Sequence, residues 1–341
     1  MNMDMLGGQE SGKPRGSASS VASTSSPTSS PGQQRTPHVM SDNEEPVSVE
    51  ALHVAQLMSQ ESNVTPKEIA EFLHEMPHMD PKMIGRVLGE PDARSLAVLQ
   101  EYANGFIFRG FSFDVALRVY LGRFLLPGEA QKIDRILQAF AKAYFAANTA
   151  NKACPSEDAV YTLAFSVVLL NTDAHNPSLA RRFKMTKNDF IRNYQRLQEA
   201  GVAHGATTVP AYYLSSCFDS FASTPIRRIP RKPDALLADE LELEFPESQL
   251  GLDIETSIDG RTCLVKKYNN DRHSYSSRSA RRSTPLLGDE EPSILGWVVV
   301  AVGSDCTKHL GYDMTRYLLK SAPRPVLIRF CEPSVFFASL D

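Results

Sequence analysis

The sequence predicts a mainly α fold, with an elongated all-α domain over residues 48–230 followed by a small β-rich domain over 240–332. Three observations carry that expectation. Apolar residues recur at helical spacing through the first stretch, two-residue alternation replaces that period after residue 240, and prolines with bases break the pattern over residues 226–233 (IRRIPRKP).

In chain order, residues 1–45 form a low-complexity tail in which nine of residues 11–30 are Ser. So little apolar surface cannot offset the entropy of ordering, so this tail is expected to be disordered. Over residues 131–147, Ile133, Ile136, Leu137, Phe140 and Tyr144 make one stripe of an amphipathic helix. Residues 159–170 are apolar nearly all round, the pattern of a buried central helix. Residues 189–197 and 212–221 add periodic segments, and a linker is expected over 231–239. Beyond it, Leu241, Leu243 and Phe245 alternate, and short β-like runs follow at 251–254, 262–265, 297–302 and 326–330, with one helix over 314–320. Residues 269–285 are rich in Ser and Arg and read as a flexible loop, the body of a disordered insertion over 269–292.

Composition excludes several classes. A net charge of −4 gives no basic field for nucleic acid. The five cysteines (Cys154, Cys217, Cys263, Cys306, Cys331) are scattered with no CxxC pair, which fits a reducing compartment and no zinc ribbon. The opening MNMDMLGGQESGK has no apolar core, so no secretory signal is expected. The apolar stretch over residues 164–170, broken only by Ser166, falls far below the ~18–20 residues of a membrane span.

Two short motifs are decoys. His74-Glu75-Met76-Pro77-His78 matches H-E-x-x-H, but Pro77 removes a helix hydrogen bond and costs ~3 kcal/mol inside a helix that the zinc chemistry needs unbroken. A helix end at EIAEFLHEM is the better reading. Gly7-x4-Gly12-Lys13 mimics a phosphate loop, yet Pro14 stands where Ser or Thr would hold magnesium and no strand precedes it. No metal site is expected.

Two other stretches stand apart from generic helix. In residues 124–135, FLLPGEAQKIDR, Pro127 and Gly128 make a turn and Glu129 opens a helix, where a carboxylate suits the positive end of the dipole. Composition alone reads Glu129 as a first-turn charge. In residues 165–176, FSVVLLNTDAHN, a buried helix ends in Asn171, Thr172, Asp173, His175 and Asn176, polar groups that read as caps satisfying one another.

These stretches resemble motifs one and two of the Sec-seven family, the exchange factors for Arf GTPases. The first matches the family's FRLPGEAQKIDR at eleven of twelve positions, with Leu125 in place of Arg. The second resembles SIIMLNTDLHNP followed by MTxxDFIRN, here SVVLLNTDAHNP and MTKNDFIRN, with Leu169 and Ala174 in place of Met and Leu. The resemblance covers about 180 residues and implies the roles. Glu129 matches the family's glutamic finger, which enters the GTPase nucleotide site near the β-phosphate and magnesium. Val168, Leu169 and Leu170 match a groove that captures the switch regions, Asn176 would hydrogen-bond switch backbone, and Asn171 and Asp173 lie at the same rim. No cofactor is implied. The location implied is cytoplasmic, with peripheral recruitment to Golgi, endosomal or plasma membrane in vesicle trafficking. A non-catalytic adaptor on the same helical fold is the alternative, disfavoured by the intact LPGEAQKIDR stretch.

The last run, LGYDMTRYLLKSAPRPVLIRF, resembles the final helix and strand of PDZ domains. By that resemblance Leu250, Gly251 and Leu252 would form a carboxylate-binding loop, Tyr312 would open the helix lining the groove, and the ligand would be a peptide C-terminus added as a strand.

Overall fold

A computed structural model of the chain describes residues 49–59, 62–75, 79–201, 208–230, 236, 240–246, 250–258, 260–268, 281–282, 293–308 and 310–338. The expected tail, the phosphate-loop decoy, Pro77 and most of the 231–239 linker lie outside these residues.

The first part is helical, with α1 (Val49–Met58), α2 (Pro66–Glu75), α3 (Pro81–Leu88), α4 (Ala93–Asn104), α5 (Phe113–Leu121), α6 (Ala130–Ala147), α7 (Glu157–His175), α8 (Lys187–Gly201) and α9 (Ala211–Ser223). Short polar residues set the starts, because the first helical N–H groups have no partner within the helix. Asp80, Asp92 and Ser156 accept from Lys82, Ser95 and Ala159 backbone N–H groups at 2.9, 3.0 and 3.1 Å. Thr65 with Glu68, and Thr186 with Asp189, each bond reciprocally as capping boxes. The stripe expected over 131–147 is the buried face of α6, and α7 packs against α6, α8 and α9. Tyr120 lies in an aromatic cluster, 5.3 Å from Phe106, 5.4 Å from Phe124 and 5.3 Å from Phe140. Its hydroxyl donates to the Ile136 carbonyl at 3.1 Å, so this bulky group is buried without an unsatisfied proton.

The second part is an antiparallel sheet of β1 (Glu240–Phe245), β2 (Leu252–Thr256), β3 (Cys263–Tyr268), β4 (Arg281–Arg282), β5 (Val298–Val302), β6 (Asp305–Cys306) and β7 (Val326–Cys331), with α10 (Gly311–Ser321) and α11 (Pro333–Ala338). The strand order is β2-β3-β5-β7-β1-β4, with β6 paired to β5, which leaves β2 at an edge among the described residues. Helix α10 packs against β2, β3 and β5.

Three sequence expectations are corrected here. The last part holds a second helix, α11, whose Phe336 packs on Val298 and Val300. Arg281 and Arg282, read as loop, pair with Glu242 and Leu241 as strand β4. The alternation over 241–245 suggests one wet face, yet Glu240 and Glu242 are buried as well. Register explains this: Arg329 lies opposite Glu242 and bonds Glu242 at 3.1 Å and Glu240 at 3.3 Å, while Lys308 reaches Glu240 at 3.0 Å.

The helices and the sheet belong to one compact unit. Arg123 Nη1 donates to Asp305 Oδ1 at 2.6 Å, and Phe111 and Tyr317 meet edge to face at 4.9 Å. Backbone bonds run from Ile229 N–H to Gly122 and from Cys306 N–H to Pro230, both at 2.8 Å.

Candidate functional site

The segment from Arg123 to Glu129 is held in place by backbone. Leu125 N–H donates to the Pro81 carbonyl at 3.0 Å, laying this segment across the start of α3. There Gly85 is required: a Cβ at that position would lie 1.9 Å from the Leu125 carbonyl oxygen. From this support the chain turns outward through Pro127 and the exposed Gly128 to Glu129, the N-cap of α6 at φ −90°, ψ 123°. The Glu129 side chain caps no N–H group and is 69% exposed. Its partner is Lys132 one turn on, at 3.1 Å, and Lys132 also reaches Glu90 at 3.0 Å. Glu90 first and Glu129 second hold the Lys132 ammonium above its ordinary pKa. Arg135 fixes the same corner by donating twice to the Gly89 carbonyl, at 3.0 and 2.6 Å.

Beside this corner runs α7. Tyr161, Phe165, Val168 and Leu169 lie at helical spacing and are half-buried or exposed, Leu169 at 47%. An apolar stripe is thus offered to solvent along a helix whose other faces are packed. Tyr161 locks α7 to α6 through a short hydrogen bond to Asp134, and burial, ahead of that bond, pushes its hydroxyl up to about 12.

The structure sorts the residues expected at the groove. Val168 and Leu169 are at the surface, whereas Leu170 is fully buried and has no face for a partner in this conformation. That one-residue contrast follows from the 100° step of a helix, which the apolar run conceals. Asn171 accepts from Ile226 N–H at 2.8 Å, Asp173 from Met185 N–H at 2.7 Å, and Asn176 from Ser178 N–H at 2.9 Å. His175 donates to the Phe221 carbonyl at 2.7 Å. His175, Asp173 and Asn171 therefore tie down α9, the segment before α8 and the segment after α9, while Thr172 bonds back to the Val168 carbonyl of α7 and Asn176 bonds two residues on.

Sequence reasoning missed Gly85, Lys132 and the Tyr161–Asp134 lock. Lys132 was legible, since a base three residues after a carboxylate is an ion-pair spacing. The other two depend on contacts between elements and leave no local signal.

In the second part, Leu250, Leu252 and Tyr312 line the groove between β2 and α10, and Gly251, between the two leucines, has φ +61°. In the H-E-x-x-H decoy, α2 ends at Glu75 and His74 Nε2 bonds the Tyr102 carbonyl at 2.9 Å.

The profile of the Sec7 domain matches residues 43–226. The chain belongs to the Sec7 domain family. Its relatives include the ankyrin repeat, PH and SEC7 domain containing protein secG of Dictyostelium discoideum, 42% identical over 166 residues, covering 49% of this chain and 16% of that protein. Brefeldin A-inhibited guanine nucleotide-exchange protein 2 of Arabidopsis thaliana is 39% identical over 271 residues, 79% of this chain and 14% of that protein. The chain thus spans about one-seventh of the length of these relatives. Among solved structures, the Sec7p catalytic domain is 31% identical over 47% of this chain and 80% of that one, with TM-score 0.42. A Sec7 domain bound to ARF1-GDP and brefeldin A is 32% identical over 49% of this chain and 79% of that one, also at 0.42.

Proposed function

We propose that this Sec7 domain promotes GDP release from an Arf-type GTPase, with Glu129 as the finger and the α7 stripe as the docking face. The observation that carries the reading is an exposed carboxylate on a Pro-Gly turn, braced from behind by the Gly85–Leu125 contact and flanked by an apolar helix face.

The chemistry is electrostatic. A carboxylate brought beside the β-phosphate repels it and competes for magnesium and for the GTPase's phosphate-binding lysine. Two unit charges ~4 Å apart at an effective dielectric near 20 interact by ~4 kcal/mol. Since each ~1.4 kcal/mol is tenfold, that corresponds to ~10³ in release rate. Lys132 neutralises Glu129 in the free protein, and docking would exchange this partner for the GTPase's own groups. No covalent step is involved, and catalysis comes from binding the nucleotide-free GTPase more tightly than the loaded one. Val168 and Leu169 supply the apolar contact and Asn176 the rim, with Asn171 and Asp173 as positioning residues. Acting on an Arf-type GTPase, the protein would serve vesicle trafficking, peripherally at a Golgi, endosomal or plasma membrane.

The test is fluorescent-nucleotide release from an Arf-type GTPase by the full chain and its Glu129→Lys variant. The expected loss is ~10³-fold with an unchanged melting temperature, because an exposed side chain contributes little to stability. Full activity in the variant overturns the role of Glu129. No release by the unaltered chain leaves a folded adaptor that binds the GTPase without exchange.

A second reading concerns the sheet part and supports its PDZ-like assignment over 240–332. Strand β2 is an edge, and α10 packs alongside it to leave a groove of about 610 Å³ lined by Leu250, Leu252, Ile254, Tyr312 and Leu319. Among the described residues the outer edge of β2 has no partner strand, and beside the apolar residues of this groove it suits a peptide added as a further strand.

A further inference from the structure

The connection between α7 and α8 carries an exposed aromatic among bases. A short 3-10 turn, Arg181–Phe183, stands in its middle with all three residues exposed. Phe183 is 65% exposed, more than any other phenylalanine among the described residues. The Arg182 guanidinium lies over its ring, 4.7 Å from the centre.

The charge around this ring is one-sided. Residues 181–192, RRFKMTKNDFIR, hold five bases and one acid, although the whole chain is net −4. Two of the five have acids of their own, Lys187 with Asp219 at 2.7 Å and Arg192 with Asp189 at 3.2 Å. Arg181, Arg182 and Lys184 make no ion pair among the described residues. Lys184 instead braces the base of the turn, its Nζ donating to the Ala174 carbonyl at 2.6 Å. Met185 N–H bonds Asp173 at 2.7 Å, and Phe183 N–H bonds the Ala180 carbonyl at 2.9 Å. The scaffold thus holds the Phe183 ring outward through bonds that do not involve the ring. Seating the ring elsewhere then costs little ordering entropy.

A protein partner would need a pocket shaped to a projecting ring and acids placed to match two guanidiniums. An anionic bilayer needs neither. Its interfacial zone accepts aromatic rings at headgroup depth, and its surface potential draws bases from any direction. We propose that this turn is a lipid-docking site, with Phe183 entering the interfacial zone of an anionic bilayer and Arg181 and Arg182 meeting the anionic headgroups. The inference deepens the peripheral-membrane part of the reading above, on which it rests, by naming the lipid class and the residues that touch it.

The experiment is co-sedimentation of the full chain with vesicles of phosphatidylcholine alone and of equal parts phosphatidylcholine and phosphatidylserine. Binding should need the anionic lipid and weaken as salt is raised. A base near such a surface is worth roughly fivefold in affinity, so Arg181→Glu with Arg182→Glu should lose more than about tenfold. Phe183→Glu should lose about tenfold, whereas Phe183→Trp should retain binding and be quenched by brominated lipid in the same vesicles. These exposed substitutions should leave the melting temperature unchanged. Nucleotide release from a soluble GTPase without vesicles, measured in parallel, should be the same for Phe183→Glu and the unaltered chain. No vesicle binding by the unaltered chain, or equal binding by Phe183→Glu, overturns the site. Equal binding to both vesicle types overturns the role of the arginines. A fall in vesicle-free release with vesicle binding intact would assign the turn to the GTPase instead, while vesicle binding without any release would retain the lipid site and sink the exchange reading alone.

Discussion

The helical and sheet parts hold their cations in opposite ways. In the helical part arginines grip backbone: Arg94 donates to the carbonyls of Val64 at 2.6 Å and Leu57 at 3.0 Å, and Arg118 to those of Pro225, Thr224 and Ser220 at 2.9, 2.9 and 3.0 Å. These carbonyls belong to loops and helix ends, so one side chain satisfies several acceptors at once. In the sheet part Arg329 is buried against two carboxylates on the neighbouring strand. The first arrangement staples irregular chain through backbone acceptors. The second specifies strand register, since a one-residue slip would put Arg329 on the opposite face from both glutamates.

The largest effect should come from breaking the second arrangement. Arg329→Met leaves two buried carboxylates short of their shared cation and should cost ~3–5 kcal/mol, read as a fall in denaturation midpoint. Replacing Glu240, Glu242 and Arg329 together by apolar residues should recover most of that loss. If the triple variant is no better than the single, the glutamates are held by something other than Arg329.

A sharper contrast lies within α7. Leu170→Ala removes a fully buried side chain and should cost ~2–5 kcal/mol. Leu169→Ala, at a 47% exposed position, should leave stability within ~0.5 kcal/mol and instead lower nucleotide release. Paired melting and exchange assays decide it, and a Leu169 variant that melts early with normal exchange would reverse the assignment.

The smallest effect concerns caps. Hydrogen bonds from Ser95 hold the Asp92 carboxyl below the usual carboxylate range. Its contribution is therefore full above the unfolded carboxylate pKa near ~4 and is lost as pH falls through the lower folded value. Asp92→Ala should cost ~1 kcal/mol at neutral pH and flatten the acid limb of the stability profile. An acid limb unchanged in slope would mean Asp92 titrates alike folded and unfolded.

The helices were legible because their signals are local. Period, caps and the proline-glycine turn before Glu129 all lie within a few residues, and the stripe over 131–147 maps onto α6 to within a residue at its start. Strand positions were legible too, although alternation in β1 misled about burial, since the counter-charge for Glu242 sits 87 residues away. At the site, Glu129 and Leu169 stood out by resemblance, whereas the burial of Leu170 and the need for Gly85 depend on neighbours that sequence does not name. The Arg281–Arg282 strand had no apolar alternation to announce it.

The Arg123–Asp305 pair bears on how such a chain can be recombined. Arg123 stands six residues before Glu129, on the segment that delivers the finger, and its counter-ion, Asp305, opens strand β6 of the sheet. A boundary drawn by composition near residue 231 would divide this pair, leaving a cation without its anion behind the finger and Phe111 without Tyr317. A graft or truncation that keeps residues 48–230 would leave Arg123 and Phe111 facing water where they now meet the sheet part.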